Sequence, residues 1–302
     1  MEKTIEPKKP VPPDNRSSRG IPWIILATLL FVTMDAMVKE LLNDGYQLVQ
    51  VVWGRYFFHF LLLLIVFLPK LRVVLSSKSF NLQILRSILL LMTTSFFFCG
   101  LQYVPLAEAS AIMLISPLIV TALAMPILKE PVGPRRWMGV AIGFVGALII
   151  IRPGSALMSL GILFPMAAAI SFSIYQISTR LLSHTDRITT TVFYTALVGT
   201  LLTSTLAPFH WTPAAPEGWA LMIMTGICGG VGHFSLIKAF TLSPASVISP
   251  YSYLNLIWAL LFGYLLFSEF PNTWSIVGAV IITGSGLYVY HRERNQKNSK
   301  HA

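Results

Sequence analysis

Tyr103-Val-Pro105-Leu-Ala-Glu-Ala-Ser-Ala111 and Leu242-Ser-Pro244-Ala-Ser-Val-Ile-Ser-Pro250 decide the fold, because the same proline opens an apolar run in each and the two stand 139 positions apart. Working outward from them, Glu130 returns as Glu269 and Gly139 as Gly278, and the hydrophobic spacing of residues 21–151 recurs in register. The chain reads twice. Each copy holds an odd number of membrane-length segments, so the second enters the bilayer from the opposite side. Such inverted-topology repeats are the signature of transporters.

Composition agrees. Of 302 residues 55% are hydrophobic and 11% charged, which excludes an ordinary water-soluble globule. Residues 87–107, 109–128, 153–179 and 239–268 contain no Asp, Glu, Lys or Arg, and about 20 such residues span the hydrocarbon core. Unbroken apolarity without in/out alternation favours helices over a barrel. Ten transmembrane helices are expected, over 21–42, 47–68, 82–103, 106–127, 136–151, 157–181, 189–208, 217–239, 246–267 and 272–290. They divide into a first repeat, 21–152, and a second, 157–290. Residues 1–20, with Pro7, Pro10, Pro12 and Pro13 among charged neighbours, read as a disordered tail, and 291–302 as a basic one. Cys99 and Cys228 lie in apolar segments and read as small buried hydrophobes rather than a disulfide framework.

Alternating the loops between two faces tests the helix count, since Lys and Arg mark the cytoplasmic side. One face takes 18 of the 22 Lys and Arg residues, the other only Lys39 and Arg152, while Arg55 and Arg86 fall within helices. Both termini are therefore expected in the cytoplasm. The net charge of +10 then follows from topology and anionic lipid, and nucleic acid is not expected as a partner.

The segments Leu101-Gln-Tyr-Val-Pro105-Leu-Ala-Glu-Ala-Ser-Ala111, Ile115-Ser-Pro117-Leu, Lys129-Glu130, Arg136-Trp137 and Gly139 to Gly146 resemble the EamA-type branch of the drug/metabolite transporter superfamily. Pro244 to Tyr253, Phe267-Ser-Glu269-Phe-Pro271 and Gly278-Ala resemble the same module. The resemblance covers the whole membrane part and implies a ten-helix bundle around a central cavity. It implies a carrier of a small metabolite working by alternating access in a bacterial-type inner membrane. Members of that family carry amino acids and derivatives, S-adenosylmethionine, riboflavin or metal-chelating metabolites, in either direction. The halves depart from symmetry where Pro117 faces Leu256 and Pro250 faces Ala111, so their central helices are expected to break at different places.

A charge inside hydrocarbon costs several kcal/mol unless it is paired or wet, so Asp35 and Arg55 need a reason. At 1.5 Å per residue they lie roughly 10 and 12 Å deep on consecutive helices. With His59 one turn beyond, they either line a cavity that binds a charged group or takes up a proton, or serve structure alone. In the structural alternatives Asp35 pairs with Lys39 while Arg55 snorkels to the headgroups, or the two form a cross-helix pair away from cargo. Arg86 is shallow enough to snorkel. Ser116 and Asn255 are repeat mates near mid-depth, suited to cargo or to interhelical hydrogen bonds. Tyr251, Asn255 and Trp258 share a helical face that either offers cargo aromatic walls with polar handles or serves packing. Tyr175, Gln176 and His233 are weaker candidates. Glu130 and Glu269 read as turn-forming. Glu108 is either an entrance charge or an anion at a helix N-terminus. Gly226, Gly229, Gly230 and Gly232 would let neighbouring helices approach closely or let their own helix bend during gating, while Gly139, Gly143, Gly278, Gly284 and Gly286 suit packing or a homodimer contact.

Six scattered histidines show no metal-ligand spacing and no phosphate-binding glycine loop occurs. No catalytic residue, cofactor or metal is expected, and the energy source is a gradient of cargo, proton or exchanged solute. A channel or receptor is the alternative class.

Overall fold

The computed structural model describes residues 19–128, 134–151, 160–182, 185–243 and 249–299. Among them there is no strand. The helices are α1 (Ile21–Asn43), α2 (Leu48–Phe67), α3 (Leu71–Val74), α4 (Phe80–Leu101), α5 (Leu106–Met113), α6 (Ser116–Leu128), α7 (Pro134–Ile151), α8 (Leu163–Leu182), α9 (Ile188–Leu206), α10 (Pro216–Leu242), α11 (Leu254–Phe267) and α12 (Thr273–Ser299). Seven helical spans are long and apolar enough to cross a membrane, and 137–151, 251–267 and 273–288 form shorter apolar helices. Large apolar side chains face outward along them, among them Ile65, Leu201, Phe234, Leu265 and Val280. Water would not tolerate so broad an apolar surface, and lipid does. This is a multi-pass membrane protein.

Two expected helices are broken. The run 106–127 is α5 followed by α6, with Leu114 and Ile115 in a tight turn that donates to Ala111 and Ile112. Pro117 has no N–H to return to Met113, so the helix restarts at Ser116. The run 246–267 enters through a 3-10 turn at Ser249–Tyr253 around Pro250 before α11 begins. Tyr251 therefore sits outside the α-helix that carries Asn255 and Trp258, and the expected shared face is interrupted there. Pro244, Glu130 and Pro131 lie outside the described residues.

The packing has a two-fold logic. The broadest seams join α1 to α10, α4 to α8, α2 to both α9 and α10, and α7 to α12. Exchanging the halves turns α1–α10 into α4–α8 and returns α2–α9 and α7–α12 to themselves. Gly20 N–H donates to Ser243 Oγ at 2.8 Å, tying the start of α1 to the end of α10. The equivalent place in the other half holds the Tyr103–Phe164 ring stack, at 5.6 Å, between the end of α4 and the start of α8. The second half thus begins at the end of the bundle where α4 finishes.

The glycines of α10 serve packing, and α10 runs as one helix. A Cβ at Gly226 would strike Phe58, one at Gly230 would come 2.8 Å from Leu62, and one at Gly232 would come 2.9 Å from Phe31. They admit α1 and α2, which is the close-approach reading of these glycines rather than the bending alternative. In α7 and α12, Gly146 and Gly278 oppose each other: a Cβ on either would lie 2.9 or 2.5 Å from the other's carbonyl oxygen. Both cysteines are free thiols.

Candidate functional site

Residues 55, 56 and 59 gather on one side of α2, because positions three and four apart on a helix lie on one face and His59 stands four from Arg55 and three from Tyr56. They meet Arg86 and Leu90 of α4, Tyr175 of α8, Val192 and Thr195 of α9 and His233 of α10 around a small cavity. The first five residues come from the first half and the last four from the second. The cavity is a product of the seam between the halves.

Arg86 does not snorkel. Its Nε donates to Thr179 Oγ1 at 2.7 Å, Nη1 to Thr195 Oγ1 at 2.5 Å and to the Thr191 carbonyl at 3.2 Å, and Nη2 to Tyr175 hydroxyl at 2.5 Å. The guanidinium also lies 4.3 Å from the Tyr175 ring centroid. Hydroxyls on facing positions of α8 and α9 replace its hydration shell, which removes the reason to reach for lipid. The signal for this was present as two i,i+4 polar pairs, Tyr175/Thr179 and Thr191/Thr195.

Arg55 is buried and points inward. Nη1 donates to Thr94 Oγ1, an atom that also bonds the Tyr56 hydroxyl at 3.0 Å. The charge sits 5.3 and 5.4 Å from the Tyr56 and Phe98 ring centroids. Snorkelling is excluded, and so is a close pair with Asp35: among the described residues no salt bridge joins them. Asp35 is nevertheless buried and within electrostatic reach of Arg55.

Nor does Asp35 hold Lys39. Lys39 Nζ reaches both carboxylate oxygens of Glu269 at 2.6 Å and the Val104 carbonyl at 3.4 Å. Ser268, at φ 54° and ψ 27°, closes α11 in the left-handed conformation, with its N–H on Tyr264 O at 3.1 Å and that of Glu269 on Gly263 O at 2.9 Å. This cap swings the Glu269 carboxylate back onto α1. The expected turn-forming role of Glu269 is joined by an ion pair between the halves.

His59 stacks on His233, centroids 5.7 Å apart and planes 8° apart, and His233 meets the Phe31 ring edge-on at 5.1 Å. His59 Nε2 is buried with no hydrogen-bond partner among the described residues.

Residues 18–152 and 159–290 each match the EamA-like transporter family. The chain belongs to that family. An S-adenosylmethionine uptake transporter of Rickettsia prowazekii is 29% identical over 93% of this chain and 96% of its own length. A riboflavin transporter of Vibrio cholerae is 28% identical over 92% and 97%. A crystal structure at 16% identity superposes with a TM-score of 0.65 over 91% of this chain and 99% of its own, and shows the fold alone.

In this EamA-family chain the remaining candidates sit elsewhere. Ser116 opens α6; its hydroxyl donates to the Ala169 carbonyl at 3.4 Å, the interhelical hydrogen-bonding alternative, and its backbone carbonyl accepts from Ser173 Oγ at 3.2 Å. Tyr251 packs against the buried pair Ile24 and Ala239. Trp258 packs on the main core, with its indole nitrogen buried and without a partner among the described residues. Asn255 is half-buried on α11. None of these lines the cavity, nor does Gln176. Glu108 is in the first turn of α5 and accepts from Ser275 Oγ at 3.0 Å, an anion at a helix N-terminus. Among the described residues no group of His, Cys, Asp and Glu is arranged to hold a metal.

Proposed function

We propose that this chain is a secondary carrier that moves a small polar or amphipathic metabolite through the cavity between its two repeats by alternating access. The observation that carries this reading is the cavity's mixed parentage: Arg55, His59 and Arg86 from one half face Tyr175, Thr195 and His233 from the other. Rocking the halves about that seam opens the same polar centre to either side in turn. In this reading ten helices form two inverted five-helix repeats with both termini in the cytoplasm of a bacterial-type inner membrane. The excess of Lys and Arg on one face supports that orientation.

The cargo belongs with amino acids or their derivatives, S-adenosylmethionine or riboflavin, consistent with the relatives' names. Arg55 and His59 contact it, with Asp35 beside them. Proton coupling or solute exchange supplies the energy. The test is counterflow in proteoliposomes preloaded with unlabelled candidates. Transient accumulation of label with a saturable rate is expected. Flux that rises without limit and shows no counterflow would make the protein a channel.

A further inference from the structure

Donors outnumber acceptors on the wall of the cavity between the halves. Arg55 carries five N–H donors, and one of them is engaged, on Thr94. His59 Nε2 is buried on the same wall without a partner among the described residues. The Tyr175 hydroxyl accepts from Arg86 Nη2 at 2.5 Å, and its own hydrogen meets no acceptor among the described residues. Charge is out of balance in the same direction. Of the nine residues on the wall, two are arginines and none is acidic. Neither arginine joins an ion pair among the described residues, and Asp35, the buried acid of α1, is not on the wall. Two guanidinium charges against one carboxylate off the wall leave at least one positive charge unmet, which a buried site strongly disfavours. Arg86 already donates to Thr179, Thr191, Thr195 and Tyr175, so Arg55 is the guanidinium left to touch a ligand.

Size narrows the ligand. The cavity has room for about one water-sized group, and Leu90 and Val192 give it an apolar side. Phosphate and sulfate are too large for that space. A halide is close to water in size, bears a single charge and accepts hydrogen bonds from any direction, so converging N–H and O–H donors can replace its hydration shell. We propose that this cavity binds one small monovalent anion, chloride in the cell, held by the Arg55 guanidinium, the His59 Nε2–H and the Tyr175 hydroxyl. The anion is the counter-charge of Arg55 whenever cargo is elsewhere. Its ligands come from α2 of the first half and α8 of the second, so it ties the halves together across the seam. The proposal goes beyond the carrier reading and stands or falls without it. A carboxylate of the cargo offers the same chemistry, and the experiment separates the two sources.

The experiment is thermal unfolding of the purified full-length protein in detergent, moved from sodium gluconate to sodium chloride or bromide at constant ionic strength, with chloride NMR line broadening as the direct readout of binding. The expected result is a saturable rise in Tm of roughly 5–10 °C once chloride stands at a hundred times its dissociation constant, matched by bromide and accompanied by excess broadening. Sulfate should give no such rise. Arg55→Gln should weaken the response roughly tenfold to a hundredfold, as loss of a charge-assisted hydrogen bond implies. Arg72→Gln, on the exposed surface of α3, should keep it. Identical melting in chloride and gluconate, with no excess broadening, would overturn the proposal on wild-type protein alone and leave the carrier reading standing. A saturable halide response that survives intact in Arg55→Gln would overturn it as well, since the anion would then sit elsewhere. A response to acetate and not to halide would assign the site to a carboxylate of the cargo and overturn the halide. Loss of counterflow by every cargo candidate, with the chloride response intact, would sink the carrier reading and leave the anion site in place.

Discussion

The Lys39–Glu269 pair makes an asymmetric prediction, because its two ends are buried unequally. The lysine side chain is 5% exposed and the glutamate 30%. Glu269→Ala removes both 2.6 Å contacts and leaves a buried ammonium with the Val104 carbonyl alone, at 3.4 Å. Breaking a buried pair from one side costs about 3–5 kcal/mol, and the partial opening at Glu269 lowers this to about 2–4. Lys39→Met instead removes the buried charge, keeps most of the volume against the Phe267 ring, and leaves a carboxylate that can reach water and the Leu106 N–H. Its cost should be about 1 kcal/mol. The gap of about 2 kcal/mol corresponds to roughly 4–8 °C in Tm for a chain of this size. Thermal unfolding in one detergent should therefore rank wild type above Lys39→Met, and Lys39→Met well above Glu269→Ala. The double variant should lie close to Lys39→Met, because the stranded charge is gone. Equal losses from the two single variants, or a double variant with the two losses added, would refute the reasoning.

Arg86→Lys should fail to rescue Arg86→Leu in detergent stability, because one ammonium cannot span Thr179, Thr191, Thr195 and Tyr175 as the guanidinium does. Gly278→Val should cost about 1–3 kcal/mol and lower the yield of folded protein on size-exclusion chromatography, since its Cβ would lie 2.5 Å from the Gly146 carbonyl and force α7 and α12 apart. Asp186 lies in the loop between α8 and α9. Although burial opposes ionisation, bonds from Ser77, Gln83 and the Lys78 and Ser79 N–H groups hold its carboxyl below the ordinary value of 3.8. A depressed value means the folded state favours the carboxylate, so the stabilisation is present above that ordinary value and is lost as pH falls through the lowered one. Melting curves should show an acid-dependent loss in the wild type that Asp186→Asn, already lacking the charge, does not share.

The repeat, the apolar segments and the family were legible in the residues, because a bilayer demands long uncharged helices and duplication preserves punctuation such as Pro105 and Pro244. Part of the candidate cavity was legible too. Asp35, Arg55 and His59 stood out since charge and imidazole are expensive in hydrocarbon, and the structure places Arg55 and His59 on the cavity wall. For Arg86, depth along one helix suggests snorkelling, whereas what holds it inward is hydroxyls and a carbonyl on α8 and α9, about ninety to one hundred and ten positions away in sequence. Depth and spacing leave Ser116 and Tyr251 open to cargo or to structure, and a proline break and neighbouring helices give them structural contacts in the fold.

The sequence by itself determined that this chain crosses a membrane repeatedly and is built from two related halves, since hydrophobic length and repeat register are properties of the order of residues. Tertiary structure decided which charges meet. Lys39 found Glu269 rather than Asp35 because a left-handed cap at Ser268 aims the carboxylate across the seam. Arg55 and Asp35 remain apart although their positions along α1 and α2 match, because Thr94 and two aromatic rings claim the guanidinium. Partners of this kind are set by rotation about helix axes and by docking between halves, and neither is written in linear spacing.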